Sequence, residues 1–229
     1  MKRISIIIPA YNEKDSIQEV LNRSLAVDLF GLPKEIIVVD DGSTDGTREI
    51  LQEYTDRCRI IFHETNKRLT QSMMTGFRAA TGDIIVIQHS DLEYHPEDWP
   101  FLVKPILDNE ADMVMGSRYI AGGGRHFSSL YETGSRILTW FFSMLYLRWL
   151  TDIFTAHRAF TREIMESFIP KSEGFSFETE ITAQVIKAKK RTREVAINYT
   201  PRDFSQGKKL RWTDGFSILF AMLKNRFSR

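Results

Sequence analysis

The stretch that decides the fold is ISIIIPAYNE, residues 4–13, an isoleucine-rich run that stops at a proline and opens into an acidic, aromatic loop. Four of its first five residues are isoleucine, with no polar alternation. That is the pattern of a strand buried on both faces, as in parallel sheets covered by helices. Working outward, the same grammar repeats. EIIVVDDGSTDGT (35–47) supplies a second strand, Glu35–Val39, and Arg59–His63, Asp83–Gln88 and Asp112–Met115 supply three more. Helical stretches fall between them: Ser16–Val27 with Asn12 or Asp15 as cap, Thr44–Tyr54 capped by Ser43 or Thr44, Thr70–Ala80, and Pro96–Asp108 with proline in its first turn. This alternation predicts right-handed βαβ units on a Rossmann-like, mostly parallel α/β sheet flanked by helices. A single domain over 1–229 is expected, regular in its first half (1–120) and less regular in its second (121–229).

The bulk composition narrows the class. A chain of 229 residues can bury one sizeable core, and 42% hydrophobic with 27% charged residues is ordinary for a globular protein. Cys58 is the single cysteine, so no internal disulfide holds the fold, which suits a reducing, cytoplasmic compartment. The apolar run of the N-terminus is too short for a signal peptide. Charge is uneven: residues 187–229 hold 12 Lys/Arg against 3 Asp/Glu, within a net charge of +1. A basic tail on an acidic body points to an anionic partner. Nucleic acid is disfavoured, because aromatic residues are not interleaved with the basic ones in a stacking pattern.

Two apolar segments bear on membranes. Ile137–Leu150 is fourteen residues long and broken by Arg148, whereas a span needs ~20 residues. It fits a core helix or a helix lying along a membrane surface. Phe216–Phe227, with Lys208, Lys209 and Arg211 before it, reads as a basic, interfacial amphipathic element. Gly122–Gly124 reads as a flexible loop.

On open α/β sheets ligands sit beyond the carboxyl ends of the strands. The segments in that position here are Pro9–Glu13, Asp40–Asp45, His89–Glu93 and Gly116–Tyr119. Tyr11 and Asp40 offer a wall and a hydrogen-bonding edge for a base. Carboxylates repel a diphosphate, so a bridging Mn²⁺ or Mg²⁺ is expected. His89, Asp91 and Glu93 offer one neutral and two anionic ligands, provided the segment stays extended so that alternate side chains share a face. There is no G-x-G-x-x-G after the first strand, no P-loop and no nucleophile elbow.

The runs SIIIPAYNE (5–13), EIIVVDDGSTDGT, GDIIVIQHSDLEYHP (82–96) and MGSRY (115–119) together resemble the family 2 glycosyltransferases of the GT-A fold. The similarity extends to the dolichol- and polyprenyl-phosphate sugar transferases through TDIFTAHRAFTRE (151–163), GFSFETEI (174–181) and YTPRDFSQGKKLRWTDGF (199–216). The resemblance implies a nucleotide-sugar pocket from Pro9, Ala10, Tyr11, Asn12, Glu13, Asp40, Asp41 and Ser90. It implies a metal held by Asp91 with Glu93 and His89, and phosphate binding by Arg118, Arg202 and Lys208, with Asp91 and Arg118 in catalysis. Asp152, His157 and Glu178–Glu180 fall in matching segments and would border the acceptor. Two departures stand out. The first position of the family's Asp-x-Asp is His89, which removes a negative charge from the metal site. The Gly-Lys-Gly that commonly follows the third strand is replaced by Asn66–Gln71, where Lys67 or Arg68 would have to compensate.

The implied reaction is an inverting displacement, from a GDP- or UDP-sugar to a polyprenyl or dolichyl phosphate. Its setting would be the cytoplasmic face of a membrane, by peripheral contact, a membrane-anchoring subunit or a homo-oligomer. A glycan hydroxyl is the alternative acceptor, and a sugar-binding homologue without turnover, favoured by His89, is the alternative outside enzymology.

Overall fold

The computed structural model describes residues 2–120, 129–170, 177–202 and 214–227. The strands are β1 (Ile4–Ala10), β2 (Lys34–Asp40), β3 (Arg59–Phe62), β4 (Ile84–Ile87), β5 (Met113–Ser117), β6 (Arg158–Thr161) and β7 (Thr192–Ala196). The helices are α1 (Ile17–Ala26), α2 (Thr47–Gln52), α3 (Arg68–Ala79), α4 (Trp99–Leu107), α5 (Ser129–Tyr146), α6 (Arg162–Ser167), α7 (Phe177–Lys187) and α8 (Asp214–Phe227). The strands form one sheet in the order β3-β2-β1-β4-β6-β5-β7. All pairings are parallel except the two made by β6. The isoleucine run serves both faces of this sheet: Ile4, Ile6 and Ile8 enter one core with α1, α2 and α4, while Ile7 enters the other with α3, α5, α7 and α8.

The five expected strands are present. β6 and β7 were not expected, and both come from the second half of the chain, so residue 120 is no boundary of the sheet. β6 is only RAFT, four residues opening on an arginine, and β7 is the partly exposed edge TREVA. Neither carries the apolar run that reveals a buried strand.

The expected caps are also revised. Ser16 stands at the start of α1 and Gly46, at φ 106°, before α2, and neither gives a side-chain cap. Asp45 supplies the acceptor for the Thr47 N–H at 3.0 Å instead. Asn12, in the left-handed region at φ 54°, ties two loops together: its N–H donates to Ser43 Oγ and its Oδ1 accepts from the Thr44 N–H.

α3 packs on β1 through a glycine. A Cβ on Gly76 would come within 2.4 Å of Ile7 Cγ2, inside a fully buried layer. Gly76→Val is therefore expected to destabilise by about 1–3 kcal/mol through overpacking. Urea unfolding checks this, with Gly134→Ala, whose Cβ meets nothing within 4 Å, as the tolerated control.

Candidate active site

β1 continues to β2 and β3 on one side, and β4 lies on the other, so the connection reverses between β1 and β4. Open sheets bind ligands in the crevice at such a point. Here it is walled by Pro9–Glu13 and His89–Glu93, stitched together by the Ser90 hydroxyl donating to Pro9 O at 2.9 Å. Because β6 runs antiparallel, its beginning rather than its end reaches this edge, which brings Asp152–Arg158 alongside.

On the β2 side, Asp40 is fully buried. Its Oδ2 accepts from Arg48 Nε and Nη2 at 3.1 and 3.0 Å, and its Oδ1 has no partner. A buried carboxylate oxygen left open is an acceptor awaiting a donor. Ala10 is buried and Tyr11 half-buried beside it. Asp41, expected in the pocket, is used otherwise: its Oδ1 accepts from the Lys67 N–H at 2.9 Å and lies 2.8 Å from His63 Nδ1. His63 Nε2 in turn lies 3.0 Å from Thr75 Oγ1. Asp41 thus fixes the 63–67 loop to the sheet. Arg48 and His63 escaped sequence reading, since neither belongs to one of the four strand-end segments.

On the β4 side the segment does not stay extended. It bends through Leu92, which sits at φ 58°, a costly conformation for leucine. The three polar side chains consequently take different partners. His89 Nε2 is buried without a partner, and its ring lies edge-on to Tyr94 at 6.0 Å. Burial holds the His89 pKa below the ordinary histidine value. Glu93 is taken by the chain after β7: Oε1 accepts from the Arg202 N–H and Oε2 from the Tyr199 hydroxyl, both at 2.9 Å. Asp91 accepts from the Glu93 N–H, at 3.2 Å. Among the described residues no three His, Cys, Asp or Glu side chains are arranged to hold a metal ion. His89, Asp91 and Glu93 therefore do not form the expected three-ligand set.

Asp91 is nevertheless electrostatically uneasy. Its pKa is raised to about 6, chiefly by burial and further by Glu13, against the opposing charge of Arg202. Arg202 reaches Glu13 itself, with Nη2 2.9 Å from Oε2. Three carboxylates, Glu13, Asp91 and Glu93, and one arginine thus meet over the crevice.

Arg118 is not directed at an open phosphate site. Its Nε and Nη2 donate to Asp152 at 2.6 and 2.8 Å, and the pair is nearly shut from solvent. Burial works against its charge, and Asp152 together with Tyr94 and Tyr119 more than offsets this, raising the Arg118 pKa well above its ordinary value. Asp152 is held in turn through Glu194, which accepts from the Thr151 and Asp152 N–H groups. Arg158 is also fully buried, donating to Thr155 O, Ile153 O and Thr182 Oγ1. Glu178 and Glu180 are buried on α7, and burial raises the Glu178 pKa. His157, against Tyr94, has both ring nitrogens buried and unpartnered, and burial lowers its pKa to about 3. Lys208, Lys209, Arg211 and Gly122–Gly124 lie outside the described residues.

Comparison with known proteins agrees with this layout. Residues 5–168 match the model of "Glycosyl transferase family 2". The chain belongs to that family. A dolichol-phosphate mannosyltransferase of Pyrococcus furiosus is 39% identical over 123 residues, covering 53% of this chain and 34% of the relative. An undecaprenyl-phosphate 4-deoxy-4-formamido-L-arabinose transferase of Yersinia enterocolitica is 31% identical over 213 residues, covering 91% of this chain and 63% of the relative. The chain thus spans between a third and just under two thirds of these relatives. Glucosyl-3-phosphoglycerate synthase of Mycobacterium tuberculosis, solved with Mn²⁺ and UDP, superposes with a TM-score of 0.76 at 22% identity, over 98% of this chain and 80% of the other. That last likeness shows the GT-A fold.

Proposed function

We propose that this glycosyltransferase moves a sugar from a nucleoside-diphosphate sugar to a polyprenyl phosphate. The observation that carries the donor half is the partly buried Asp91 carboxylate with Glu13 beside it and Arg202 as counter-charge. A hard divalent cation suits that oxygen environment, and Mg²⁺-type sites commonly use one or two carboxylates plus substrate phosphates. Asp91 would hold it, with neither His89 nor Glu93 required. When bound, Mn²⁺ or Mg²⁺ supplies charge neutralisation on the departing diphosphate. Asp40 Oδ1 would accept from the base, Tyr11 would wall it, and Ser90 would keep the crevice at its width. For the acceptor half, the support is the names of the two relatives and the placement of Arg202 at the crevice.

The chemistry is one displacement. An oxygen of the lipid phosphate attacks the anomeric carbon as the bond to the nucleoside diphosphate breaks, inverting that centre. The phosphate is already an anion at neutral pH, so no base has to remove a proton. Arg202 opposes charge on the reacting groups, and Arg118 with Asp152 acts as a rigid wall behind them. The acceptor is a membrane lipid, so the work is done at a bilayer surface.

The test is a screen of UDP- and GDP-sugars with undecaprenyl phosphate and Mn²⁺ or Mg²⁺, with His89→Asp in parallel. Turnover with one donor, abolished by chelation and retained in both proteins, is expected. Neither turnover nor donor binding in the wild type would sink the enzyme reading.

A further inference from the structure

α5 has two faces. Phe142 and Tyr146 are buried, whereas Ile137, Trp140 and Met144 are 59%, 53% and 56% exposed. Their spacing of three and four places them on one stripe. The stripe runs on into Leu147 and Trp149, just past the helix, at 86% and 74% exposed. Exposed apolar side chains grouped in this way mark an interaction site.

Cations gather at the end of that stripe. Arg148 Nη2 donates to Thr192 O at 2.9 Å, which brings the end of α5 against the start of β7. There Arg148, Lys189, Lys190 and Arg191 line a cleft of about 430 Å³, with Glu110 the single acid in its wall. Lys190 and Arg191 are paired with Glu163 and Asp112, while Lys189 has no carboxylate partner among the described residues. α8 ends at the same place: Arg226 Nε donates to Leu145 O, and Lys187 Nζ to Asn225 O. It adds exposed Lys224 and Phe227. No Asp or Glu occurs between Arg136 and Asp152, between Glu180 and Glu194, or after Asp214.

We propose that this face docks on a bilayer containing anionic lipid. The face comprises the outer stripe of α5, the Leu147–Trp149 turn, and the ends of α7 and α8. Its apolar side chains would enter the acyl boundary, and the basic cleft would seat lipid phosphates. The inference rests on the lipid-phosphate reading for the reason such contact is needed, and on the surface itself for its location. Interfacial segments combine Trp with Lys and Arg in this way. Protein–protein interfaces share the enrichment in Trp, Met and Arg but are depleted in lysine, so Lys189, Lys190 and Lys224 favour a lipid surface over a second copy. No helix among the described residues is long and apolar enough to cross a membrane, so contact through this face is superficial.

Flotation of the whole chain with phosphatidylcholine vesicles, with and without 30% phosphatidylglycerol, is the test, alongside Lys189→Glu/Lys224→Glu and Leu147→Ser/Trp149→Ser. Wild type should float with anionic vesicles and lose that binding in high salt. The charge-reversal protein should bind at least ~25-fold more weakly, and the apolar double variant should lose binding while keeping its circular dichroism. Equal binding to neutral and anionic vesicles, or wild-type binding by both variants, would overturn the proposal. So would a wild-type dimer, separated by Leu147→Ser/Trp149→Ser, that ignores vesicles. Flotation needs no turnover: a chain that transfers sugar without floating refutes this surface, and one that floats without transferring refutes the reaction.

Discussion

Asp91→Asn is expected to abolish sugar transfer, by on the order of 10²–10³-fold or more, while making the ligand-free protein more stable. Both effects follow from one geometry. The carboxylate sits partly buried beside Glu13, and its pKa is raised to about 6, first by burial and then by that neighbour. A folded-state pKa above the unfolded value of 3.8 means that ionising Asp91 opposes folding. Its favourable contribution is fully present below pH 3.8 and is lost as the pH rises through 6. At pH 7.5 the wild type therefore carries a penalty, on the order of 1–3 kcal/mol, that asparagine removes. The side-chain oxygen of the asparagine still accepts the Glu93 N–H, so the loop keeps its bond. Thermal unfolding from about pH 4 to 8 checks this, with Asp91→Asn expected to show a flatter profile. Adding Mn²⁺ with a nucleoside diphosphate should then raise the melting temperature of the wild type and leave the variant unmoved. Loss of activity with lower stability would point to a structural carboxylate.

Asp152→Ala is expected to destabilise by about 3–5 kcal/mol, the largest stability loss foreseen at this edge of the sheet. Asp152 is fully buried and makes both hydrogen bonds to the Arg118 fork, whose side chain is only 10% exposed. Removing the acid leaves a guanidinium in a nearly dry site against the Tyr199 ring. Replacing both members tells compensation from packing: Asp152→Ala/Arg118→Met should recover much of the loss, because no uncompensated charge remains. Guanidinium titrations of the three proteins check this. A double variant as unstable as Asp152→Ala would show that packing, not charge, holds the pair.

Position and duty were unequally legible in the sequence. Pro9–Glu13, Asp40 and Asp91 were readable because their position follows from local pattern: an apolar run ends, and the next residues lie at the sheet's carboxyl edge. The duties of Arg118, Asp41 and Glu93 were not. Arg118 meets an aspartate 34 residues away only because an unannounced strand, β6, enters antiparallel. Glu93 is engaged by the chain after β7 because the backbone bends at Leu92 and because Tyr199 and Arg202 arrive there. Asp41 looks identical to Asp40 in sequence, and only the pleat sends one to Arg48 and the other to His63. His89 carried its warning in its chemistry, since an imidazole is a poor substitute for a carboxylate at a hard-cation site.

Product analysis with matched acceptors bears most directly on the proposed reaction. The chain is incubated with its nucleotide-sugar donor, Mn²⁺ and either a polyprenyl phosphate or the same polyprenol without phosphate, and the products are resolved by mass and anomeric configuration. A glycosyl phosphoryl lipid of inverted configuration, formed only from the phosphate, is the predicted result. Transfer to the alcohol or to a saccharide hydroxyl, with the lipid phosphate untouched, would contradict the account.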